Sequence, residues 1–418
     1  MDVEEQNVAG SSAQQQATSE ATSADRVKVG EVVEVDIGSI AHGGHCVARY
    51  QGQVIFVRHA IPGERALVEI TAVNSKMARG DAITIISASP HRVTPPCRFA
   101  APGGCGGCDF QHIDPSFARE LKAAVIVEQF ARLGGLTIQC QVHAVQPEDG
   151  LHWRTRMDFA IGESGHIGLF SHRSNEVIEI DQCLIADDYI DVPTLSTRKW
   201  SGDDRIEVAS TSTGQVNISR AGRSISGPTQ LEEIVPSDVG ELSYQVSPQS
   251  FWQSHIEAPA TLVNKVLSLI EAESGDVVCD LYGGVGLFTA ALSKVVGVQG
   301  RVHLIESSPR AIADAQKIFK GVGNVEIHSG RVEARLPKIS KTDVIVLDPP
   351  RTGAGEEVID VMVRLHPSTI VYVSCDPASL ARDAKLLLEN GYAMDHIVGY
   401  DLFPMTQHVE CVARFRPL

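Results

Sequence analysis

The chain is poor in aromatic residues, which fill only 5% of its 418 positions, and has no apolar run near the roughly 20 residues of a membrane-spanning helix. The second absence excludes a helical membrane protein. The first leaves Ala, Val, Gly and Ile to carry the apolar mass, as in α/β domains. Positive charge is also short: 36 Lys and Arg face 52 Asp and Glu, a formal net charge of −16. Bulk charge thus speaks against a nucleic-acid partner, because phosphate binding is driven by Lys and Arg, although a local basic surface can sit on an acidic body. The first 25 residues contain no Lys or Arg and no apolar stretch, which excludes a signal or transit peptide. They read as a disordered polar tail that carries part of the acid (Asp2, Glu4, Glu5, Glu20). A cytoplasmic protein with no membrane partner is expected. Nothing signals a coiled coil, so a monomer is expected. Nine cysteines in such a chain do not suggest structural disulfides.

What is present is enough apolar residue, 43%, for two or three domains with their own cores. Residues 26–88 alternate as five short strands separated by turns such as Gly43-Gly44, Gln51-Gly52 and Pro62-Gly63, which predicts a small closed barrel of the OB type. Residues 89–240 form a second, β-rich region. It opens with a Pro-, Gly- and Cys-rich loop, and residues 115–134 predict a helix stopped by Gly134-Gly135, which is free to pack on the next domain. From 241 to 418 helices and strands alternate (APATLVNKVLSLIEAE, DVVCDLY, LFTAALSKVV, RVHLIES, PRAIADAQKIFKG), predicting a doubly wound, Rossmann-like α/β domain with a parallel sheet.

Ligand and catalytic chemistry concentrate in that last domain. Asp280-Leu281-Tyr282-Gly283-Gly284-Val285-Gly286 lies between a strand and a helix, where glycines let the backbone approach a ligand. The next strand ends in Glu306, the position of an acid that binds ribose hydroxyls in such folds. An acid, Asp280, beside the glycine loop suits a cationic ligand without phosphate. This puts S-adenosylmethionine ahead of a nicotinamide dinucleotide, with an ordinary tight βα turn as the bland alternative. Strand DVIVLD ends in Asp348-Pro349-Pro350-Arg351, facing the same crevice; an Arg after the two prolines, in place of an aromatic, disfavours an exocyclic amine as methyl acceptor.

Strand TIVYVS runs straight into Cys375-Asp376-Pro377 at the opening of a helix. That placement is expected to favour a thiolate through the helix N-terminus and through Arg351 or Arg382 if they are near. Uracil C5 is a poor nucleophile until a thiolate adds at C6, and a base must later remove the C5 proton. The chemistry needs a cysteine and a carboxylate together. Glu410, opening the strand ECVARFRPL, is a candidate carboxylate; His408 reads as an orienting residue rather than the base. Upstream, Cys97, Cys105 and Cys108, with the distant Cys183, could ligate zinc or an iron–sulfur cluster, and the spacing alone does not choose. Cys46, Cys140, Cys279 and Cys411 read as small core residues.

PGGCGGCDFQH, SFWQSH, DLYGGVGLF, VLDPPRTG, VSCDPASLARD and FPMTQHVE together resemble the RNA m5U methyltransferases, a family acting on tRNA and on 23S ribosomal RNA. VSCDPASLARD followed by HVE is the specific part; the glycine loop is not. The resemblance implies a TRAM RNA-binding barrel at 26–88, Cys375 as nucleophile and Glu410 as proton acceptor. It also implies donor-binding positions at Gln253, Tyr282, Gly284, Glu306 and Asp348, and a [4Fe–4S] cluster rather than zinc on Cys97, Cys105, Cys108 and Cys183. This chain has Gly283 where the family commonly has Cys, and a longer spacing between Cys97 and Cys105. The expected substrate is a loop or flipped-out uridine in rRNA or tRNA. The competing readings are an RNA cytosine-C5 methyltransferase and a non-catalytic metal-cluster RNA-binding protein; retention of both Cys375 and Glu410 disfavours the second.

Overall fold

The computed structural model describes residues 26–202 and 204–418; the polar tail expected at 1–25 lies outside them. Five strands, β1 (Val32–Ile40), β2 (Cys46–Tyr50), β3 (Gln53–Arg58), β4 (Arg65–Val73) and β5 (Ala78–Ser87), close into a barrel in the order β1-β2-β3-β5-β4. Alternation drives closure: Val33, Val35 and Ile37 of β1 point inward to join Ile55, Val57, Val68 and Ile70, while their neighbours face out. The expected barrel is therefore present.

A helix, α1 (Pro115–Gln129), follows, capped by the Asp114 carboxylate on the N–H groups of Ser116 and Phe117 and running into a wider turn at Phe130–Gly134. Beyond the short strand β6 (Val142–His143) lies a six-stranded sheet of β7 (Arg156–Ile161), β8 (Ile167–Phe170), β9 (Val177–Glu179), β10 (Ile206–Ser210), β11 (Val216–Arg220) and β12 (Arg223–Ser226). Helix α2 (Val192–Thr197) packs on it through Val192 and Leu195, and a separate hairpin joins β13 (Leu231–Val235) to β14 (Leu242–Val246).

The remaining chain runs α3 (Ala258–Ile270), β15 (Val277–Leu281), α4 (Leu287–Val296), β16 (Arg301–Glu306), α5 (Pro309–Ile318), β17 (Val325–Ser329), α6 (Val332–Arg335) and β18 (Val344–Leu347). It ends with α7 (Glu356–Arg364), β19 (Thr369–Ser374), α8 (Pro377–Glu389), β20 (Tyr392–Tyr400) and β21 (Glu410–Pro417). These strands order as β17-β16-β15-β18-β19-β21-β20-β6; β15 to β19 are parallel and β21 inserts antiparallel between β19 and β20. From β15 the chain moves outward to β17, then returns to place β18 on the other flank of β15. That reversal is the switch point at which open α/β sheets leave a crevice beyond their strand ends. The apolar runs of β18 and β19 are wholly buried because helices cover both faces. The sheet also recruits chain from the preceding region: β6 pairs with the edge of β20, and Ile126 and Phe130 are fully buried in the core beneath α8. No helix among the described residues is long and apolar enough to cross a membrane.

Candidate active site

Cys375 follows the last residue of β19 and precedes Asp376, whose carboxylate caps α8 by accepting the Ser379 N–H at 2.7 Å. The other Asp376 oxygen lies 3.0 Å from His42 Nε2, on the barrel's β1–β2 loop. The barrel thus touches the residue next to the cysteine. Cys375 lines a cleft with an empty volume of about 620 Å³ between that loop, α1 and the segment before β21; Gly43, Gly44, Lys122, Arg351 and His408 share its wall. Gly44, at φ +75°, lets the loop come this close, since a Cβ there would run into Gln407.

The electrostatics of the cleft differ from expectation. Burial pushes the Cys375 thiol up to about 12, the charges of Glu410 and Asp348 add to this, and Arg351 opposes it. Burial is the largest influence on the thiol, ahead of any of the neighbouring charges. Arg382 is exposed, and Arg351 is the cation that acts here. Glu410, the first residue of β21, is buried; burial first and Asp348 second hold its carboxyl well above the usual range, against Arg351. Asp376 goes the other way: burial alone would raise it, but His42 and Ser379 together leave it below its ordinary value.

Asp348, just past β18, links this group to the crevice at the switch point. It accepts a hydrogen bond from Gln253 Nε2 at 3.3 Å, and burial, then the charge of Asp280, pushes it up to about 7. Asp280 is likewise pushed up to about 7 by burial; Oδ2 is held by the Thr289 N–H at 3.0 Å and by its hydroxyl, while the buried Oδ1 has no partner among the described residues. Glu306 serves its own loops: Oε2 accepts the Gly284 N–H at 3.0 Å, and Oε1 accepts the N–H groups of Ser307 and Ser308, both at 2.6 Å. Gly284, at φ +57°, faces open space, and half-buried Tyr282 sits at φ +60° in the same turn. At Gly283 a Cβ would lie 3.0 Å from Asp280 Oδ2 and from Leu304 Cγ. Hydrogen bonds join Gln253 to Asp348 and Gly284 to Glu306, and Asp280 feels the charge of Glu306 and acts on Asp348, so these residues and Tyr282 cluster past the ends of β15, β16 and β18. Two of these acids, Asp280 and Asp348, have raised proton affinities, and Asp280 Oδ1 is unpaired among the described residues, features that fit a ligand bearing positive charge.

Two supports were not read from the sequence. Asp383, the last residue of VSCDPASLARD, accepts the Tyr372 hydroxyl at 2.6 Å and the Ala354 N–H at 2.7 Å, so it holds the loop that follows Asp348-Pro349-Pro350. Lys122 of α1, 2% exposed, reaches Asp401 at 2.6 Å and the Phe403 carbonyl at 3.1 Å, tying α1 to the segment that leads into Glu410. The local signal for Lys122 was a charge on an apolar helix face. Its partner is 279 residues away.

Cys97, Cys105, Cys108 and Cys183 converge, as expected, on the lining of one small cavity. Their ligand atoms do not make a compact set: no three come within 4.8 Å of one another, whereas a tetrahedral zinc needs sulfurs about 3.8 Å apart. Burial is the largest effect raising the thiols of Cys105, Cys108 and Cys183, and N–H groups of Gly107, Ile185 and Ala186 oppose it.

Comparison with known proteins is consistent with this geometry. Residues 26–83 match the TRAM domain, and residues 215–415 match the family described as tRNA (Uracil-5-)-methyltransferase. An uncharacterized RNA methyltransferase of Streptomyces coelicolor is 39% identical, covering 97% of both chains. The chain belongs to this methyltransferase family. It is an RNA (uracil-5-)-methyltransferase, a transferase, whose TRAM barrel and family bring RNA as partner. A second uncharacterized RNA methyltransferase, of Streptomyces avermitilis, is 40% identical over 93% of this chain and 99% of its own. Among solved structures, the Pyrococcus abyssi tRNA (uracil-54, C5)-methyltransferase in complex with S-adenosyl-L-homocysteine covers 91% of this chain and 99% of its own. It does so at a TM-score of 0.68 and 24% identity, a likeness of fold.

Proposed function

We propose that this family member methylates C5 of a uridine in rRNA or tRNA through a covalent adduct on Cys375, with Glu410 as the base and S-adenosylmethionine as the donor. The observation that carries the proposal is the meeting of Asp348, Cys375 and Glu410 at the ends of β18, β19 and β21, where Asp348 raises the proton affinity of Cys375 and Glu410, and Glu410 raises that of Cys375. A thiol and a carboxyl sharing one desolvated pocket are what C5 chemistry requires.

S-adenosylmethionine, when bound, supplies an electrophilic methyl group on a positively charged sulfur. Gln253, Tyr282, Gly284, Glu306 and Asp348 would hold it, with Asp280 and Asp348 offering the negative charge. The Cys375 sulfur adds to C6 of the uracil, making C5 an enolate carbon. The thiol must first lose its proton, which Arg351 favours and the neighbouring acids resist. After C5 is methylated, Glu410 takes the C5 proton, the C5–C6 double bond re-forms and the Cys375 sulfur leaves. Glu410's raised proton affinity makes its carboxylate a stronger base for that step. Lys122, His42 and Asp376 keep the cleft walls in place. Division at 26–88, 89–240 and 241–418 is the proposed domain scheme, with α1 and β6 lent to the last unit. A [4Fe–4S] cluster on Cys97, Cys105, Cys108 and Cys183 is proposed as a structural element, because none of the steps above needs an electron.

The test is to map modified pyrimidines in tRNA and ribosomal RNA from cells with and without the gene. The proposal expects loss of 5-methyluridine at a defined site, restored by the wild-type chain and not by Cys375→Ala. Loss of 5-methylcytidine instead would establish the cytosine alternative.

A further inference from the structure

On the outer flank of the sheet, away from the cleft, β16 and β17 bring three ligand-type side chains together. His303 pairs in register with Glu326, and Ile305 with His328. Glu326 and His328, two residues apart on one strand, project to the same face and flank His303. Their ligand atoms are tightly grouped. His303 Nδ1 is 3.0 Å from His328 Nε2 and 3.2 Å from Glu326 Oε2, and the last two atoms are 3.8 Å apart. An ion with bonds of about 2.0–2.1 Å in tetrahedral geometry needs ligand atoms about 3.3 Å apart. The mean edge of this triangle is close to that value. The other Glu326 oxygen is held by Arg301, which fixes the carboxylate so that Oε2 faces the two imidazoles. Arg335 is a further charge acting on His328, and its Nε is tied to the Ser329 carbonyl at 2.6 Å. Leu304 and Ile327, on the opposite face, pack with Phe319, so the strands cannot roll to separate the three ligands.

We propose that His303, Glu326 and His328 form a binding site for a borderline divalent transition-metal ion, for which zinc is the probe. Two imidazoles and one carboxylate oxygen are the donor set such ions take, with a fourth position left for water. The ion clamps edge strand β17 to β16. These strands carry on into the donor crevice: β16 ends at Glu306, whose carbonyl accepts the Gly330 N–H just past β17 at 2.8 Å. The ion takes no part in methyl transfer, because β16 stands three strand spacings, about 14 Å, from β19.

The test loads the full-length chain with zinc and measures metal content, X-ray absorption at the zinc edge and thermal melting. It compares wild type with His328→Asn and with Glu326→Gln. The site predicts an equivalent of zinc with only nitrogen and oxygen neighbours, lost in both variants, and a zinc-dependent rise in melting temperature that is lost with it. Any zinc taken by the four cysteines appears as a separate sulfur shell, about 2.3 Å out, that the variants do not alter. Melting without zinc checks that each variant is folded, and two independent variants keep the test informative if one is not. An unchanged nitrogen–oxygen shell in folded variants, or its absence from the wild type, overturns the proposal.

Discussion

The donor crevice and the transfer cleft lie on the same edge of one sheet, yet they are built differently. At the ends of β15 and β16 the protein mostly answers its own polar groups. Glu306 accepts three backbone N–H groups, and Asp280 is held on one oxygen by Thr289. Across the switch point, at the ends of β18, β19 and β21, an acid, a thiol and a second acid are desolvated together; Asp348 adds to the proton affinity of Glu410, and both acids add to that of Cys375. The first arrangement shapes a pocket before any ligand arrives. The second holds a thiol and two acids that keep their protons to higher pH than usual. Asp280 is the exception on the first side, since burial pushes it up to about 7; the other raised proton affinities lie at the ends of β18, β19 and β21.

The comparison can be broken most sharply at Glu410. Glu410→Gln should reduce turnover by about 10²–10⁴-fold while leaving donor affinity, measured by calorimetry, near wild type. Equal losses in both would merge the two sites. On the donor side, Glu306→Ala leaves three N–H groups without an acceptor and should weaken donor binding by about 1–3 kcal/mol. Next comes pH. Asp280 and Asp348 hold protons up to about 7 in the free chain, and a cationic donor favours their charged forms. Binding then releases protons, so donor affinity should strengthen as pH rises toward about 7 and level off above it, by at most about tenfold per pH unit for each proton released. Asp280→Asn should flatten the profile. The smallest effect is expected at His42. Its contact with Asp376 is partly exposed, and His42→Ala should cost about 0–1 kcal/mol in a denaturant melt.

Which features could be read from sequence follows the range of the interactions. The barrel was legible because inward Val33, Val35 and Ile37 alternate with outward neighbours, and the catalytic sheet because β and α segments succeed one another at regular spacing. Cys375, Asp348 and Glu306 were legible because each follows or ends an apolar strand. The state of Cys375 was not: a helix N-terminus is a local signal, whereas the burial and the carboxyl groups that raise the thiol arrive from β18 and β21. Nor were the His42–Asp376 contact, 334 residues apart, the Lys122–Asp401 pair, or β6 completing the sheet, since a two-residue strand has no pattern of its own. The His303, Glu326 and His328 cluster was equally silent, because it exists only through the register of two strands.

The central claim is that the Cys375 sulfur bonds to uracil C6 and that proton removal at C5 releases it. It is tested most directly with RNA carrying 5-fluorouridine at the target position, incubated with the methyl donor and analysed by mass spectrometry after proteolysis. Fluorine cannot leave as a proton. The wild-type chain should therefore accumulate a methylated RNA adduct on the peptide containing Cys375, and Cys375→Ala should form none. An equal adduct in Cys375→Ala, or one mapped to another residue, would contradict the account.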